Sequence, residues 1–138
     1  MKKLILLIAI LCFSLILSSC VTTREATWKI IPGSRLKYEE AWPIIVNVIS
    51  KKYDLETIDS NIGYLRSEWK MDYHFDRPFA SYERTRAVCR IESKMPLKFK
   101  IKVEKELYSL MIGKWIAKGN NEEIQKELLN ELEEHLLQ

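Results

Sequence analysis

The sequence predicts an α+β fold, a two-layer sandwich in which an antiparallel meander of 3–5 strands carries an N-terminal and a C-terminal helix on one face. Three observations predict it. Residues 38–53 and 121–137 repeat apolar side chains at three- and four-residue spacing, the period of an amphipathic helix. Between them, residues 82–93 and 97–107 alternate apolar and polar side chains, the pattern of an antiparallel strand with one dry and one wet face. A one-faced sheet must bury that dry face, and two amphipathic helices are what this chain offers to cover it.

Taken in order, the chain opens with Lys2 and Lys3, an apolar run over residues 4–17, and then Ser18-Ser19-Cys20. Basic residues, a greasy segment and small residues make a signal peptide, residues 1–19, which is removed rather than folded. With Leu17 three residues before Cys20 and two small serines between, the site resembles the lipobox of bacterial lipoproteins. The resemblance implies lipidation of the Cys20 thiol, cleavage before it and acylation of the new amine. An ordinary cleaved signal with Cys20 present by chance is the other reading. A spanning helix is not, because residues 4–17 reach only about 21 Å against the ~30 Å hydrocarbon core.

The precursor carries 22 basic and 19 acidic side chains in 138 residues. Losing Lys2 and Lys3 with the signal leaves 20 against 19, a net of +1, so global charge gives no case for nucleic acid. Of three cysteines, Cys12 leaves with the signal and Cys20 takes lipid. Cys89 alone remains, expected as a small buried residue of a strand.

Residues 20–33 read as a lipidated N-terminus and short tether, with Trp28 and Ile30-Ile31 able to add an edge strand; the single domain is 34–138. The first helix, 38–53, tolerates Pro43 only if it starts near Glu39, since first-turn amides have no intrahelical partner. Residues 55–59 form a strand leading into a Ser60-Asn61-Ile62-Gly63 turn. Along 64–71, Leu65, Ser67, Trp69 and Met71 share one face. Along 82–93, Thr85, Ala87, Cys89 and Ile91 do, opposite Arg84, Arg86, Val88, Arg90 and Glu92. In 97–107, Leu97, Phe99, Ile101, Val103 and Leu107 alternate with Lys98, Lys100, Lys102, Glu104 and Glu106, Lys105 being the one break. Residues 108–118 fit a short strand or a packed loop. Asn120 with Glu123 is a capping box for the last helix. Trp42, Trp69, Phe99, Ile101 and Ile45 are the expected centre of the core.

Chemistry is sparse. His135 sits at the end of the last helix, and Asp72, His74 and Asp76 form at most a weak cation-binding set. No phosphate loop, zinc motif or nucleophile with an evident base is present, so neither an enzyme nor a cofactor is expected. A hydrolase assembled on the 72–81 loop is the enzymatic alternative. Two features point to binding. On the wet sheet face, Arg86, Arg90, Lys98, Lys100 and Lys102 cluster among glutamates, suited to an acidic partner or to anionic head groups. The loop 72–81 holds Tyr73, Phe75, Arg77 and Phe79, types enriched at interfaces. Nucleic acid is not expected, because Tyr64 is nearly the only aromatic residue placed among those cations.

A helix with Ala41-Trp42-Pro43, the Asp59–Gly63 turn, the strand Gly63-Tyr64-Leu65-Arg66-Ser67-Glu68-Trp69 and the Arg84-Thr85-Arg86 and 97–103 strands are together similar to the BamC-like lipoproteins of the β-barrel assembly machinery. The resemblance covers residues 38–107. It implies a helix-grip sandwich and a non-enzymatic accessory or adaptor role. BamC has two such domains and a long N-terminal segment, where this chain has one domain and a short tether. The expectation is a lipid-anchored envelope lipoprotein on the periplasmic face of the outer membrane, bound to the membrane through Cys20 and to an envelope protein partner. Val21 is not the aspartate associated with inner-membrane retention. A small-ligand or lipid carrier is the alternative, requiring a cavity of ~300 Å³ or more.

Overall fold

Two long antiparallel strands, β5 (Ser81–Lys94) and β6 (Leu97–Ser109), form the spine of the molecule. The computed structural model describes residues 22–74 and 81–137, apart from the side chains of Pro32, Gly33, His74 and Ser81. The expected signal peptide and Cys20 lie outside the described residues. Alternation sets the register of the spine. Ala87, Cys89 and Ile91 stand opposite Val103, Ile101 and Phe99, and all six are buried on one face.

Shorter strands flank each end of this hairpin. Near its Met95-Pro96 turn, β1 (Lys29–Ser34) pairs with β6, β3 (Tyr64–Ser67) pairs with β5, and β2 (Leu55–Asp59) lies outside β3. At the far end β4 (Lys70–His74) pairs with β5, and β7 (Lys114–Asn120) pairs with β6. Among the described residues the sheet therefore has seven strands, more than the 3–5 expected. The excess has a simple cause: β6 is 13 residues long, and its free edge needs partners along its whole length. Ile30-Ile31 supplies one half and the ambiguous 108–118 stretch the other.

The stretch 64–71, read as one strand, is two. Glu68 N donates to Asp54 O at 2.8 Å instead of joining the ladder, and β4 begins two residues later. The interruption reverses the pleat. Leu65 faces Cys89 on the inner side, yet Lys70 faces buried Thr85 on that same side. Trp69 is accordingly not a core residue: its ring lies on the outer face.

Two helices cover the inner face only, giving the two-layer α+β architecture. Helix α1 (Tyr38–Ser50) starts one residue before Glu39, and Glu40 Oε2 accepts from Lys37 N at 3.1 Å. It ends three residues short of the expected Tyr53. Helix α2 (Glu122–Leu136) is capped by Asn121, not Asn120: Ile124 N donates to Asn121 Oδ1 at 3.1 Å. Ile45, Val48, Phe99, Ile101, Leu128 and Leu132 are fully buried at the centre, with Trp42 beside them. Cys89 is buried in that core, and burial pushes its thiol up to about 12. Lys51 and Lys52 pair with Glu131 and Glu127 of α2 at 2.5 and 2.6 Å, tying helix to helix.

Residues expected to form a tether belong to the domain from Thr22 onward. Arg24 bridges Lys118 in parallel, its N–H donating to Ala117 O at 3.0 Å while its carbonyl accepts from Gly119 N at 2.7 Å. Asn120 holds Thr27 through three hydrogen bonds, accepting from its N–H and hydroxyl and donating to its carbonyl. Where β1 stops and β7 has not begun, Val103 would have bare backbone groups. Gln125 Oε1 accepts from its N–H at 3.0 Å, and Asn121 N donates to its carbonyl at 2.9 Å.

Candidate functional site

The outer face of the sheet carries the densest arrangement of polar and aromatic side chains. Strand register builds it in rows. Across the far end run Tyr73, Tyr82, Tyr108 and Trp115 from β4, β5, β6 and β7, each ring meeting the next edge-on at centroid distances of 5.5, 6.3 and 5.3 Å. One row inward, the Arg84 guanidinium lies 4.3 Å from the Trp69 ring and 4.3 Å from the Trp115 ring, and it pairs with Glu106 at 2.6 Å. Arg86 stacks on Trp69 at 4.3 Å and pairs with Glu104 at 2.5 Å. Lys102 also reaches Glu104 at 2.5 Å, and Lys100 and Lys102 stand 5.2 and 4.9 Å from the Trp28 ring. Lys100 pairs with Glu92 at 2.8 Å, and Arg66 grips Glu56 through two hydrogen bonds of 2.8 and 3.0 Å.

Glu104 is the junction of this network. Burial alone would push its carboxyl up, but hydrogen bonds from Lys102 and Arg86 and their positive charge outweigh that, and the group stays below the usual carboxylate range. Most of the expected basic patch is thus neutralised internally. Arg86, Lys100 and Lys102 are held by glutamates, whereas Arg90 and Lys98 are exposed and have no ion pair among the described residues.

Of the two groups of residues singled out in the sequence, the described members Tyr73 and Arg90 lie far apart. Tyr73 sits at the far end, opposite Tyr82. Arg90 is eight residues along β5 from Tyr82, about 26 Å away. Phe75, Arg77 and Phe79 lie outside the described residues. Trp28, Trp69, Trp115, Tyr82 and Tyr108 are the site residues that sequence reasoning missed. Tyr82 and Tyr108 share the period of Arg84 and Glu106, a legible signal. The three tryptophans come from three separate stretches and join only once register is known. Their presence corrects the expectation that Tyr64 is nearly alone among the cations, although the rings are already stacked against the protein's own guanidinium and ammonium groups.

Concave surface lies at the rims. A groove of about 590 Å³ is lined by Asp72, Glu83, Lys105, Glu122, Glu123 and neighbouring residues, and one of about 360 Å³ runs beside Lys37 and Met95. Both exceed the ~300 Å³ a small ligand needs. Both also open at the surface among charged side chains, and a smaller one of about 200 Å³ lies between α2 and the sheet, lined by Tyr53, Lys70, Thr85, Ile124 and Glu127. Lys105, the break in the apolar face, lies 2.9 Å from Glu83 Oε2 in the first groove; the contact is ionic, for that oxygen accepts no hydrogen bond from a described residue. Among the described residues no cluster of three His, Cys, Asp or Glu side chains could hold a metal, and no helix is long and apolar enough to cross a membrane. His135 is exposed on α2. Neither a scan against protein-family models nor a search of curated proteins finds a significant match to this chain.

Proposed function

We propose that this chain is a lipid-anchored envelope protein, held on the periplasmic face of the outer membrane through Cys20, whose domain is a non-enzymatic binding subunit. On this reading its sheet and two helices are a variant of the helix grip, and outer-membrane protein assembly is the process it serves. One observation carries the proposal. Both helices cover the inner face, leaving an outer face on which most charges are locked in place while Arg90 and Lys98 stay unpaired. Fixed side chains lose little entropy on docking, and two unpaired cations favour a partner with an acidic patch.

The test is affinity capture of the tagged, lipidated protein from detergent-solubilised membranes, comparing wild type with an Arg90→Glu/Lys98→Glu double variant. Neither residue makes an ion pair that the fold depends on, so the variant keeps its thermal unfolding midpoint. Wild type should recover a defined envelope protein, and the double variant should lose most of it. Equal recovery by both excludes the outer face as the docking surface, and recovery of the lipoprotein alone removes the accessory role.

A further inference from the structure

The far end of the sheet has a second character, apolar and exposed. The turn between β6 and β7 presents three consecutive apolar side chains, Leu110, Met111 and Ile112, at 70%, 93% and 50% exposure. Among the described residues, six of the eleven large apolar ones left exposed are gathered at this end: Met71, Tyr73 and Tyr82 in addition to those three. Scattered apolar residues need no explanation, but a contiguous patch does. Just behind the tip stands the row of four aromatic rings, with Lys114 at the start of β7. An apolar tip backed by Tyr and Trp and a lysine matches the side-chain order found across a membrane interface.

The path of the N-terminal segment says which surface meets this end. Because residues 22–27 run parallel to β7, moving back from Thr27 to Thr22 moves toward the tip, and Lys118 Nζ donates to the Thr22 carbonyl at 3.1 Å. Cys20 is two residues earlier, within about 7 Å of Thr22 along the chain. Ala117, whose carbonyl takes the Arg24 amide, stands opposite Glu106. From Glu106 to Leu97 at the other end of β6 is nine residues, about 30 Å, roughly twice the ~14 Å that the four residues from Arg24 to Cys20 can span. An acylated Cys20 therefore brings the bilayer to the tip end and keeps it from the Met95-Pro96 end.

From this juxtaposition we infer that the β6–β7 turn inserts shallowly into the leaflet that holds the Cys20 acyl chains, with the aromatic row at head-group level. The inference rests on the lipoprotein reading. It gives the domain a fixed orientation, with the unpaired Arg90 and Lys98 pointed away from the membrane and toward a partner.

The experiment uses full-length lipidated protein in protein-free vesicles of phosphatidylcholine and phosphatidylglycerol. An environment-sensitive fluorophore is placed at Met111→Cys and, separately, at Met95→Cys as the control end. Buried Cys89 stays unlabelled, and intact mass reports acylation of Cys20. The label at 111 should shift its emission to the blue and be quenched several-fold more strongly than the label at 95 by nitroxide lipids near head-group depth. Acylated protein whose label at 111 is as wet as that at 95 overturns tip insertion and leaves the anchor intact. Unacylated Cys20 overturns the anchor reading and the inference with it. A label at 111 that is equally shielded without vesicles assigns the tip to protein–protein contact and overturns insertion.

Discussion

Gly63 shows how narrowly a single residue can be specified. Its φ is +64°, in the left-handed region, and a Cβ there would stand 2.4 Å from Ile91 Cγ1 and 2.6 Å from Ile91 Cβ. Its carbonyl accepts from Ile91 N at 2.8 Å, so the backbone has no room to withdraw. Gly113 has nearly the same φ, +63°, but an added Cβ would meet only the Tyr108 hydroxyl at 3.8 Å. The pair separates conformational strain from collision. Gly113→Ala should cost about 1 kcal/mol, the penalty for φ alone. Gly63→Ala should cost ~3 kcal/mol, since overpacking adds to the strain. Urea midpoints for the two variants decide the matter: equal losses would mean that Ile91 yields. The turn itself was legible in Ser60-Asn61-Ile62-Gly63, but the collision was not, because it depends on a strand nearly thirty residues away.

At the scale of elements, α2 is fastened to the sheet where the ladder has a gap. Gln125 is buried, and its Oε1 takes the Val103 N–H at 3.0 Å and an Asn120 amide hydrogen at 2.5 Å. Gln125→Leu preserves bulk and removes the acceptor, leaving a buried N–H unsatisfied at a cost of ~1–3 kcal/mol. Amide hydrogen exchange at Val103 should accelerate more than at Ile101, which belongs to the intact ladder; uniform acceleration along β6 would argue against this fastening. The same elements show what a linear reading captures. The faces of β5 and β6 and the stripe of α2 follow from uninterrupted periodicity, which residue order records directly. Trp69 was misplaced because Glu68 and Trp69 interrupt the strand and reverse its phase, an event set by the Asp54 carbonyl and invisible to period counting. Strand number was underestimated for a related reason: β1 and β7 are recruited by the long edge of β6 more than by their own alternation. Arg86, Lys100 and Lys102 were correctly placed on one face, while their tryptophan partners required the register of three distant segments.

Across the whole molecule, the outer face links Trp28 and Trp69, whose segments share no backbone ladder, through side chains of the β5–β6 spine. Glu104 connects Arg86 of β5 with Lys102 of β6; Arg86 rests on Trp69 from the β3–β4 interruption, and Lys102 on Trp28 from the N-terminal segment. Protonating one carboxyl therefore loosens contacts over much of the sheet. The sign follows from linkage. The folded-state pKa of Glu104 lies below its unfolded value of about 4.3, so its contribution is fully present above that value and is lost as pH falls through the folded pKa. Wild type should thus lose stability as pH falls below the unfolded value of about 4.3, whereas Glu104→Gln, already weaker at neutral pH, should show a visibly flatter profile over the same window. Glu131 is the comparison: a hydrogen bond from Lys51 holds its carboxyl below the usual range, but the pair lies at the surface. Solvent screens such pairs, so Glu131→Gln should leave the acid limb close to that of wild type. Urea midpoints measured across the window provide the check. Parallel curves for wild type and Glu104→Gln would show that acid sensitivity arises elsewhere, and that the outer face is a set of independent pairs instead of one connected layer.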